Sequence, residues 1–592
     1  MTFCHHRITN GLVEGLNSRI VAIKRKVCGD RNRGHFKAVI HLFCGGLDLY
    51  SSNLSQGLPT GNPEGPGLKT PYFIPTFKVN ILLRLIFIGF LLFGCSKVNF
   101  HGKHANLEEV LCRLDSSADY SELPLISPLE SSIYPPEISS PLFSWQGPAQ
   151  GFWIIRIFKD SSSESLYFSS EKNPWEPAPS EWNEIKELSP GSDLHLEVSE
   201  IHGNKITLKS KSGFKVSKDP LNANIVYQEI PVPFSHASKN TKKFRWRVFD
   251  PKSYTEPPVI LQGLPYCANC HFFSRDGKTF GLDVDYRGDR GGYMLSPVRS
   301  RMELRDETVI SWNDYRPSDP PQSRGLFAKI SPLGDYVIAS VEERPFLIRI
   351  EDPAYSQLFF PLSGHLAYYS TRDGDFHPLP GADDTSVIQI NPAWNHDGKT
   401  IAFARGQSSE FLWKTLGDKK FLDAAVGEDI HTLSEKYTMR FDLWTIPFND
   451  GKGGKASPLP GASGNGLSNY FPRYTPDGKW LVYCQAQTGL VSLPDSRLAI
   501  IPASGGEPRI MKCNRQELNS WHSFSPNGRW MVFSSKPDGS SLTRVFLSHI
   551  DEYGNDSPAI QLHRIGSPGM AAILPEAVVQ DSSVIKKIVF IE

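Results

Sequence analysis

From about residue 125 onward, apolar and polar side chains alternate over short stretches that end in turns. Phe143 and Trp145 alternate with polar neighbours, and further apolar runs follow at residues 153–157 and 166–168. A period of two residues, broken by Ser- and Pro-rich turns, is typical of half-buried β-strands. The pattern predicts an all-β chain whose first structured part, residues 131–225, is a β-sandwich.

Beyond residue 226 one pattern occurs five times: HFFSRDGKTF, AKISPLGDYV, PAWNHDGKTI, PRYTPDGKWL and HSFSPNGRWM. Each copy has an apolar strand end, a tight turn with a glycine, and a second strand that alternates large apolar and small residues. The turn glycines are Gly277, Gly334, Gly398, Gly478 and Gly528. Glycine adopts the positive φ of such a turn easily because it lacks a Cβ. The spacing between turns leaves room for four strands, which is the size of one β-propeller blade.

These repeats resemble those of the TolB-like, WD-type propellers of bacterial envelopes, which carry Ser-Pro-Asp-Gly-Lys in this position. The resemblance covers residues 226–592 and implies a propeller. Six blades, closed by pairing the strands around residues 243–250 with the terminal residues 585–592, are favoured over seven. The segment Pro141-x-Phe143-x-Trp145 resembles the start of fibronectin type III or immunoglobulin-like modules, which implies the preceding sandwich.

An export signal is predicted at residues 78–95, with linkers at residues 51–77 and 96–130. Basic residues precede an apolar run at residues 85–93, which is too short to span a bilayer comfortably but suits a signal peptide. Leu92-Phe93-Gly94-Cys95 then resembles a bacterial lipobox, which implies acylation of Cys95 and a membrane tether. A short buried helix or an interfacial anchor is the alternative.

The first 50 residues belong to a different pattern. The stretch NGLVEGLN resembles the C-terminal end of DDE-type insertion-sequence transposases, and Glu14 matches the last metal-binding carboxylate of that family. One carboxylate cannot organise a two-metal site, so this segment is expected to be an inactive remnant. We expect no nucleic-acid binding by the mature protein.

The segment Cys267-Ala268-Asn269-Cys270-His271 matches the attachment motif of c-type haem. It also resembles a propeller subfamily labelled cytochrome-like, in which CANCHSFSRDGK opens the first repeat; this chain departs from it at Phe272. The resemblance implies thioether bonds at Cys267 and Cys270 and His271 as the proximal ligand of the iron. A zinc site, a thioredoxin-like pair and a disulfide remain alternatives.

Other candidates are weaker. A second axial ligand would come from one of these residues: His236, Met294, His365, His377, His396, Met439 and His522. His522 parallels His271 in the repeat, and for it a hydrogen bond to a neighbouring blade is the favoured interpretation. Asp283 and Asp285 share one strand face, where they could bind calcium, line the propeller axis or, as we favour, form a solvated edge.

The chain has 63 basic and 63 acidic residues among 592, so no overall charge points to an acidic or basic partner. No hydrolase, kinase or metalloprotease signature is present in the sequence. We therefore expect a non-enzymatic, membrane-anchored envelope lipoprotein that serves as a scaffold for proteins or cell-wall components and carries a haem c. The alternative function is a monohaem electron-transfer protein at the membrane surface.

Overall fold

A computed structural model provides the fold. It describes residues 98–101, 121–122, 124–159, 165–188, 190–202, 205–237, 239–317, 322–417, 419, 421–537, 539–579 and 585–591. Glu14 and Cys95 lie outside the described residues, so their predicted roles stay predictions.

The N-terminal part is a β-sheet with one helix. Its strands are β1 (Val98–His101), β2 (Ser121–Glu122), β3 (Leu125–Ser127), β4 (Ser132–Tyr134), β5 (Ser144–Trp145), β6 (Gln150–Phe158), β7 (Ser165–Lys172), β8 (Asp193–His202) and β9 (Lys205–Val216), and its helix is α1 (Pro179–Leu188). Seven strands form one sheet in the order β1-β7-β6-β8-β9-β2, with β4 also paired to β9, while β3 and β5 form a separate ribbon. In place of two equal facing sheets, the described residues thus form one large sheet with a small ribbon.

Aromatic side chains fill the core of this part. The Trp145 and Trp153 rings lie 5.1 Å apart, and the Phe143 ring stacks on Trp175 at 5.4 Å. On α1, Trp182 is fully buried and its indole N–H donates to the Ile138 carbonyl at 2.8 Å. Large rings packed edge to face stabilise such a core beyond their buried area.

The remaining chain forms a β-propeller, which confirms the predicted fold class. Blade 1 contains β10 (Ala223–Pro231), β11 (Arg245–Phe249), β12 (Val259–Gln262) and β37 (Met570–Val579); blade 2 contains β13 (Ala268–Phe273), β14 (Thr279–Val284), β15 (Gly292–Pro297) and β17 (Val309–Ser311). Blade 3 contains β18 (Leu326–Ile330), β19 (Tyr336–Val341), β22 (His365–Ser370) and β23 (Asp375–Pro378); blade 4 contains β24 (Val387–Trp394), β25 (Thr400–Gln407), β27 (Phe441–Pro447) and β28 (Ser457–Pro458). Blade 5 contains β29 (Ser468–Tyr474), β30 (Trp480–Ala486), β31 (Arg497–Pro502) and β32 (Arg509–Ile510); blade 6 contains β33 (Glu517–Phe524), β34 (Trp530–Lys536), β35 (Arg544–His549) and β36 (Ile560–Gln561).

Within the described residues the ring has six blades. The innermost strands follow one another in the order β37, β13, β18, β24, β29 and β33, and β33 returns to β37. The ring closes where β37, from the end of the chain, pairs antiparallel with β10. The predicted closing strand was wrong: the terminal strand β38 (Lys587–Phe590) pairs in parallel with β16 (Arg301–Leu304) at the side of blade 2.

Two insertions form a cap on one end of the propeller. They are residues 342–364 in blade 3 and 408–440 in blade 4, each placed between the second and third strands of its blade. The cap contains β20 (Pro345–Arg349), β21 (Gln357–Pro361), β26 (Leu422–Asp423), α3 (Glu410–Leu416) and α4 (Ile430–Lys436). Since β20 pairs with both β21 and β26, the two insertions share one small sheet.

The other helical segments are short. They are the α-helix α2 (Phe234–Ala237) and the 3-10 turns Thr241–Lys243, Asp306–Thr308, Trp312–Tyr315 and Asn449–Gly451. Of the helices in the described part of the chain, none has the length and apolar character needed to cross a membrane.

An ion pair joins the closing strand β37 of blade 1 to β29 of blade 5. The Arg473 guanidinium on β29 donates to both Glu576 carboxylate oxygens on β37, at 2.9 and 2.6 Å. The two side chains are only 19% and 12% exposed, so solvent screens the pair weakly. Removing one partner of such a pair leaves the other charge buried and uncompensated.

We predict that Glu576→Gln lowers the free energy of unfolding by about 3 kcal/mol, because Arg473 loses its counter-ion. Urea unfolding followed by circular dichroism measures this change. Asp335→Asn is the matched control, since it breaks the exposed Arg372–Asp335 pair (58% and 38% exposed) and should cost less than about 1 kcal/mol. Equal effects of the two variants would contradict a closing role for Glu576.

Candidate functional site

Each innermost strand carries a β-bulge that turns one side chain toward the channel of the propeller. The register of each strand slips by one residue against its neighbour at this place. A bulge of this kind re-aims a side chain. We call the six residues at these positions the constriction ring: Cys270, Phe327, Asn391, Phe471, Trp521 and Leu574.

The residues of the constriction ring share an unusual backbone conformation. Five of the six residues have a positive φ between 48° and 61°, the exception being Cys270. Such values are uncommon for residues other than glycine. Their recurrence in five strands means that the bulge belongs to the architecture of the ring.

His271, next to Cys270, lies between two blades. Its imidazole is 2% exposed, and Nε2 lies 3.3 Å from the Val226 carbonyl oxygen on β10. His522 on β33 repeats this arrangement, with Nε2 3.0 Å from the Val482 carbonyl oxygen on β30. This contact agrees with the interpretation of His522 as a link to a neighbouring blade, and it gives His271 the same role.

Burial keeps both imidazoles neutral. Burial lowers the pKa of His271 to about 4 and that of His522 to about 3, because the charged form loses its hydration. With Nε2 near a carbonyl oxygen, the neutral ring donates its proton there. Nδ1 of each ring is buried and has no hydrogen-bond partner.

The geometry of the motif does not fit a haem bound through His271. The cavity lined by Cys270 and His271 has a volume of about 50 Å³, which is far too small for a porphyrin. The Nε2 atom that would bind iron faces the Val226 carbonyl instead. A haem at this place would require His271 to leave its position between blades 1 and 2.

The two thiols of the motif are free and protonated. Neither Cys267 nor Cys270 forms a disulfide. Burial raises the pKa of Cys267 to about 11 and also raises the pKa of Cys270, where the nearby Asp283 carboxylate adds to the effect. Protonated thiols are poor nucleophiles and poor metal ligands. Among the described residues no three His, Cys, Asp or Glu side chains lie close enough to hold a metal ion.

The other predicted axial ligands are dispersed, and of these candidates only His522 lines the same cavity as His271. His365 and His377 contact the Tyr315 hydroxyl and the Asp373 carboxylate. His396 lies at the opposite end of the channel, with Nε2 3.3 Å from the Tyr474 carbonyl oxygen.

A larger cavity lies between the constriction ring and the cap, and we call it the mouth cavity. Its volume is about 260 Å³. Its apolar walls include Phe327, Phe359, Val491, Trp521, Ile573 and Leu574. Its polar lining includes Cys270, Asp283, Ser356 and Lys536. Largely apolar walls with a few polar groups are typical of a ligand site.

The tip of the cap, residues 352–356, crosses the mouth of the channel from blade 3 to two other blades. The Tyr355 hydroxyl donates to Glu517 of blade 6 at 2.8 Å. The backbone N–H of Phe234, in the connection between β10 and β11 of blade 1, donates to the Ser356 hydroxyl at 3.1 Å. These two contacts hold the tip over the mouth cavity.

Asp283 lies at the floor of the mouth cavity. It accepts a hydrogen bond from the Cys270 thiol, and burial raises the pKa of its carboxyl to about 8, although the Lys329 charge acts in the opposite direction. The favoured interpretation of Asp283 as part of a solvated edge was therefore wrong. Its place near the axis was the alternative, and no described residues complete a calcium site with it.

Sequence reasoning missed Tyr355, Glu517 and Lys536. Lys536 is 4% exposed, and its Nζ lies 5.0 Å from the centre of the Tyr355 ring. The available signal was the unusual length of the segments between second and third strands in blades 3 and 4. Length alone shows that an insertion exists, but it does not show where the tip of the insertion lands.

A comparison with protein-family models agrees with the resemblance of the N-terminal segment. A family model described as a transposase matches residues 1–40, in line with the predicted remnant, but it covers too little of the chain to define its family. A comparison with curated proteins found no match.

Solved structures similar to this chain include propellers of several kinds. A protein assigned as TolB from Agrobacterium tumefaciens is 14% identical, with 62% of this chain and 94% of that chain covered and a TM-score of 0.33. Kuenenia stuttgartiensis hydrazine synthase is 13% identical, with 52% and 71% covered and a TM-score of 0.28. Oligogalacturonate lyase from Vibrio parahaemolyticus is 13% identical, with 52% and 69% covered and a TM-score of 0.31. These likenesses carry no argument about the activity or partners of this chain.

The buried imidazole of His271 gives a prediction about acid stability. The unfolded side chain takes up a proton near pH 6.5, whereas the folded one stays neutral until about pH 4, so acid favours the unfolded state between these values. His271→Gln keeps an N–H for the Val226 carbonyl but cannot take up this proton. Between pH 7 and pH 4 the variant should therefore lose about 3 kcal/mol less stability than the wild type.

Unfolding free energies measured at several pH values test this difference. His377→Gln serves as the control, because His377 is at the surface beside Asp373. Parallel pH profiles for the wild type and His271→Gln would contradict the neutral, buried state of His271.

Proposed function

We propose that this chain is a non-enzymatic binding protein of the bacterial cell envelope, anchored to the membrane through a lipidated Cys95. Its propeller serves as a scaffold for proteins or cell-wall components, and the mouth cavity is the binding site. The observation that carries this proposal is the mouth cavity itself, enclosed between the constriction ring and the cap. Fold alone does not specify a function, so the proposal rests on this site.

The construction of the mouth cavity supports a binding role. Apolar walls supply affinity through burial, and the few polar groups at the floor and rim supply orientation. The cap tip is held by contacts to blades 1 and 6, so the cavity is formed before a ligand arrives. A preformed site loses less conformational entropy on binding.

The state of the reactive side chains supports a role without catalysis. The histidines of the innermost strands are buried, neutral and engaged with backbone carbonyls. The thiols of Cys267 and Cys270 are protonated. General acid–base and nucleophilic catalysis need groups whose pKa lies nearer to neutrality and whose reactive atom is free.

The alternative function, a monohaem electron-transfer protein, remains a prediction from the CxxCH motif. It requires haem attachment at Cys267 and Cys270 and a movement of His271 away from Val226. We give it second place because His271 and His522 both contact a backbone carbonyl oxygen of the neighbouring blade, and no cysteine pair precedes His522.

Site-specific photo-crosslinking in the native host tests the binding site. A photoreactive phenylalanine analogue replaces Phe359, which lines the mouth cavity. We expect irradiated cells to yield cross-links to envelope components from this position. The same analogue at Leu333, a 75% exposed residue in the turn that follows β18, should yield few.

A cavity-filling variant sharpens this experiment. Ala354→Trp places an indole from the cap tip into the mouth cavity and should remove most cross-links from position 359. Leu333→Trp adds the same side chain to the surface and should leave them unchanged. Cross-links of equal yield from both positions, or cross-links that survive Ala354→Trp, would contradict the proposed site.

The lipid anchor is tested by Cys95→Ser. Since the acyl chains supply the membrane affinity, the variant should move from the membrane fraction to the soluble envelope fraction. It should also lose metabolic labelling by an alkyne-bearing palmitate analogue. A variant that stays in the membrane fraction would show that another segment provides the anchor.

A further inference from the structure

We infer that the mouth cavity binds an apolar group that carries a positive charge, with the cation placed at the Asp283 carboxylate and the apolar part against the aromatic walls. An ammonium group on an alkyl or aryl substituent is the chemical class. This inference rests on the proposed function, because it assigns a ligand class to the same site.

The floor of the mouth cavity offers a carboxyl group that lacks an ion-pair partner within the described part of the chain, and burial raises its pKa to about 8, so that it is partly ionised at pH 8. Asp283 accepts from the Cys270 thiol, and among the described residues it has no ion-pair partner. The cation that acts on it most is Lys329, but the Nζ atom of Lys329 lies over the Phe272 ring, 4.4 Å from its centre. A buried carboxylate of this kind gains most from a cation supplied by a ligand.

Lys536, the other charged group in the lining, is already compensated. Its Nζ donates to the Ser541 carbonyl at 2.6 Å and lies 5.0 Å from the Tyr355 ring centre. Burial lowers the pKa of Lys536 to about 8, and the Glu517 and Asp352 carboxylates oppose this effect in part. Lys536 therefore already has hydrogen-bond and carboxylate partners, which leaves Asp283 as the acidic group of the lining without an ion-pair partner among the described residues.

The walls of the cavity suit a cation with an apolar body. Phe327 and Phe359 pack edge to face with their ring centres 6.2 Å apart, and Trp521 faces the same space from blade 6. The positive φ values of Phe327 and Trp521 aim these two rings at the channel. Aromatic faces attract cations and also bury alkyl groups.

Three probes of similar shape test the ligand class: 2-phenylethylammonium, 2-phenylethanol and phenylacetate. Isothermal titration calorimetry at pH 8 with the protein purified from its host measures the dissociation constants of the three probes. We expect the ammonium probe to bind about tenfold more tightly than the alcohol, and the alcohol more tightly than the carboxylate.

Two substitutions test whether Asp283 causes this order of probe affinities. Asp283→Asn keeps the shape of the side chain and should remove the preference for the ammonium probe while leaving the affinity for the alcohol within about twofold. Asp285→Asn, two residues further along the chain and just after β14, is the matched control and should keep the preference. If Asp283→Asn fails to fold, Phe327→Leu provides a second test, since loss of the aromatic face should weaken the ammonium probe about threefold more than the alcohol.

The outcomes separate this inference from the proposed function. Equal affinity for the three probes, tightest binding of phenylacetate, absence of binding, or a preference that survives Asp283→Asn would each overturn the cationic ligand. The proposed binding site would still stand if cross-links from position 359 remained sensitive to Ala354→Trp. If the preference for the ammonium probe is absent and the cross-links also survive Ala354→Trp, both proposals are overturned.

Discussion

The bulge in each innermost strand is the constraint on which the other features of the propeller depend. Six strands converge on one axis, and each must direct one side chain into the channel without breaking its pairing to the next strand. The bulge achieves this and produces the constriction ring, which closes the channel and forms the floor below the mouth cavity. Because of the bulge in β13, Cys270 belongs to the constriction ring while the next residue, His271, lies between blades.

Much of the fold could be predicted from short-range chemistry, whereas the site could not. The five glycine turns and their alternating strands identify the propeller because a tight hairpin is specified by neighbouring residues. The predicted closing strand was β38, whereas β37 closes the ring. Both strands are apolar, and pairing between distant segments leaves no local signature in the sequence. The CxxCH letters match a cofactor motif, but the letters do not show which side of a strand an imidazole occupies. Asp283 and the cap tip meet only through the tertiary structure.

The account that emerges separates the motif from the site. Cys270 and His271 serve the architecture of blade 2, as Trp521 and His522 serve blade 6. The proposed recognition site lies above them, where the blade 3 insertion covers a space that the propeller alone would leave open. The inferred ligand class rests on the apolar walls of that space and on the Asp283 carboxyl group at its floor.

The central proposal is that His271 is an element of blade packing and that the CxxCH motif does not bind a haem through it. The most direct test is the pyridine haemochrome spectrum, together with the intact mass, of the protein purified from its native host under denaturing conditions. The account predicts a polypeptide without porphyrin absorbance and with both Cys267 and Cys270 free. A covalently attached porphyrin that disappears in Cys270→Ser would contradict it.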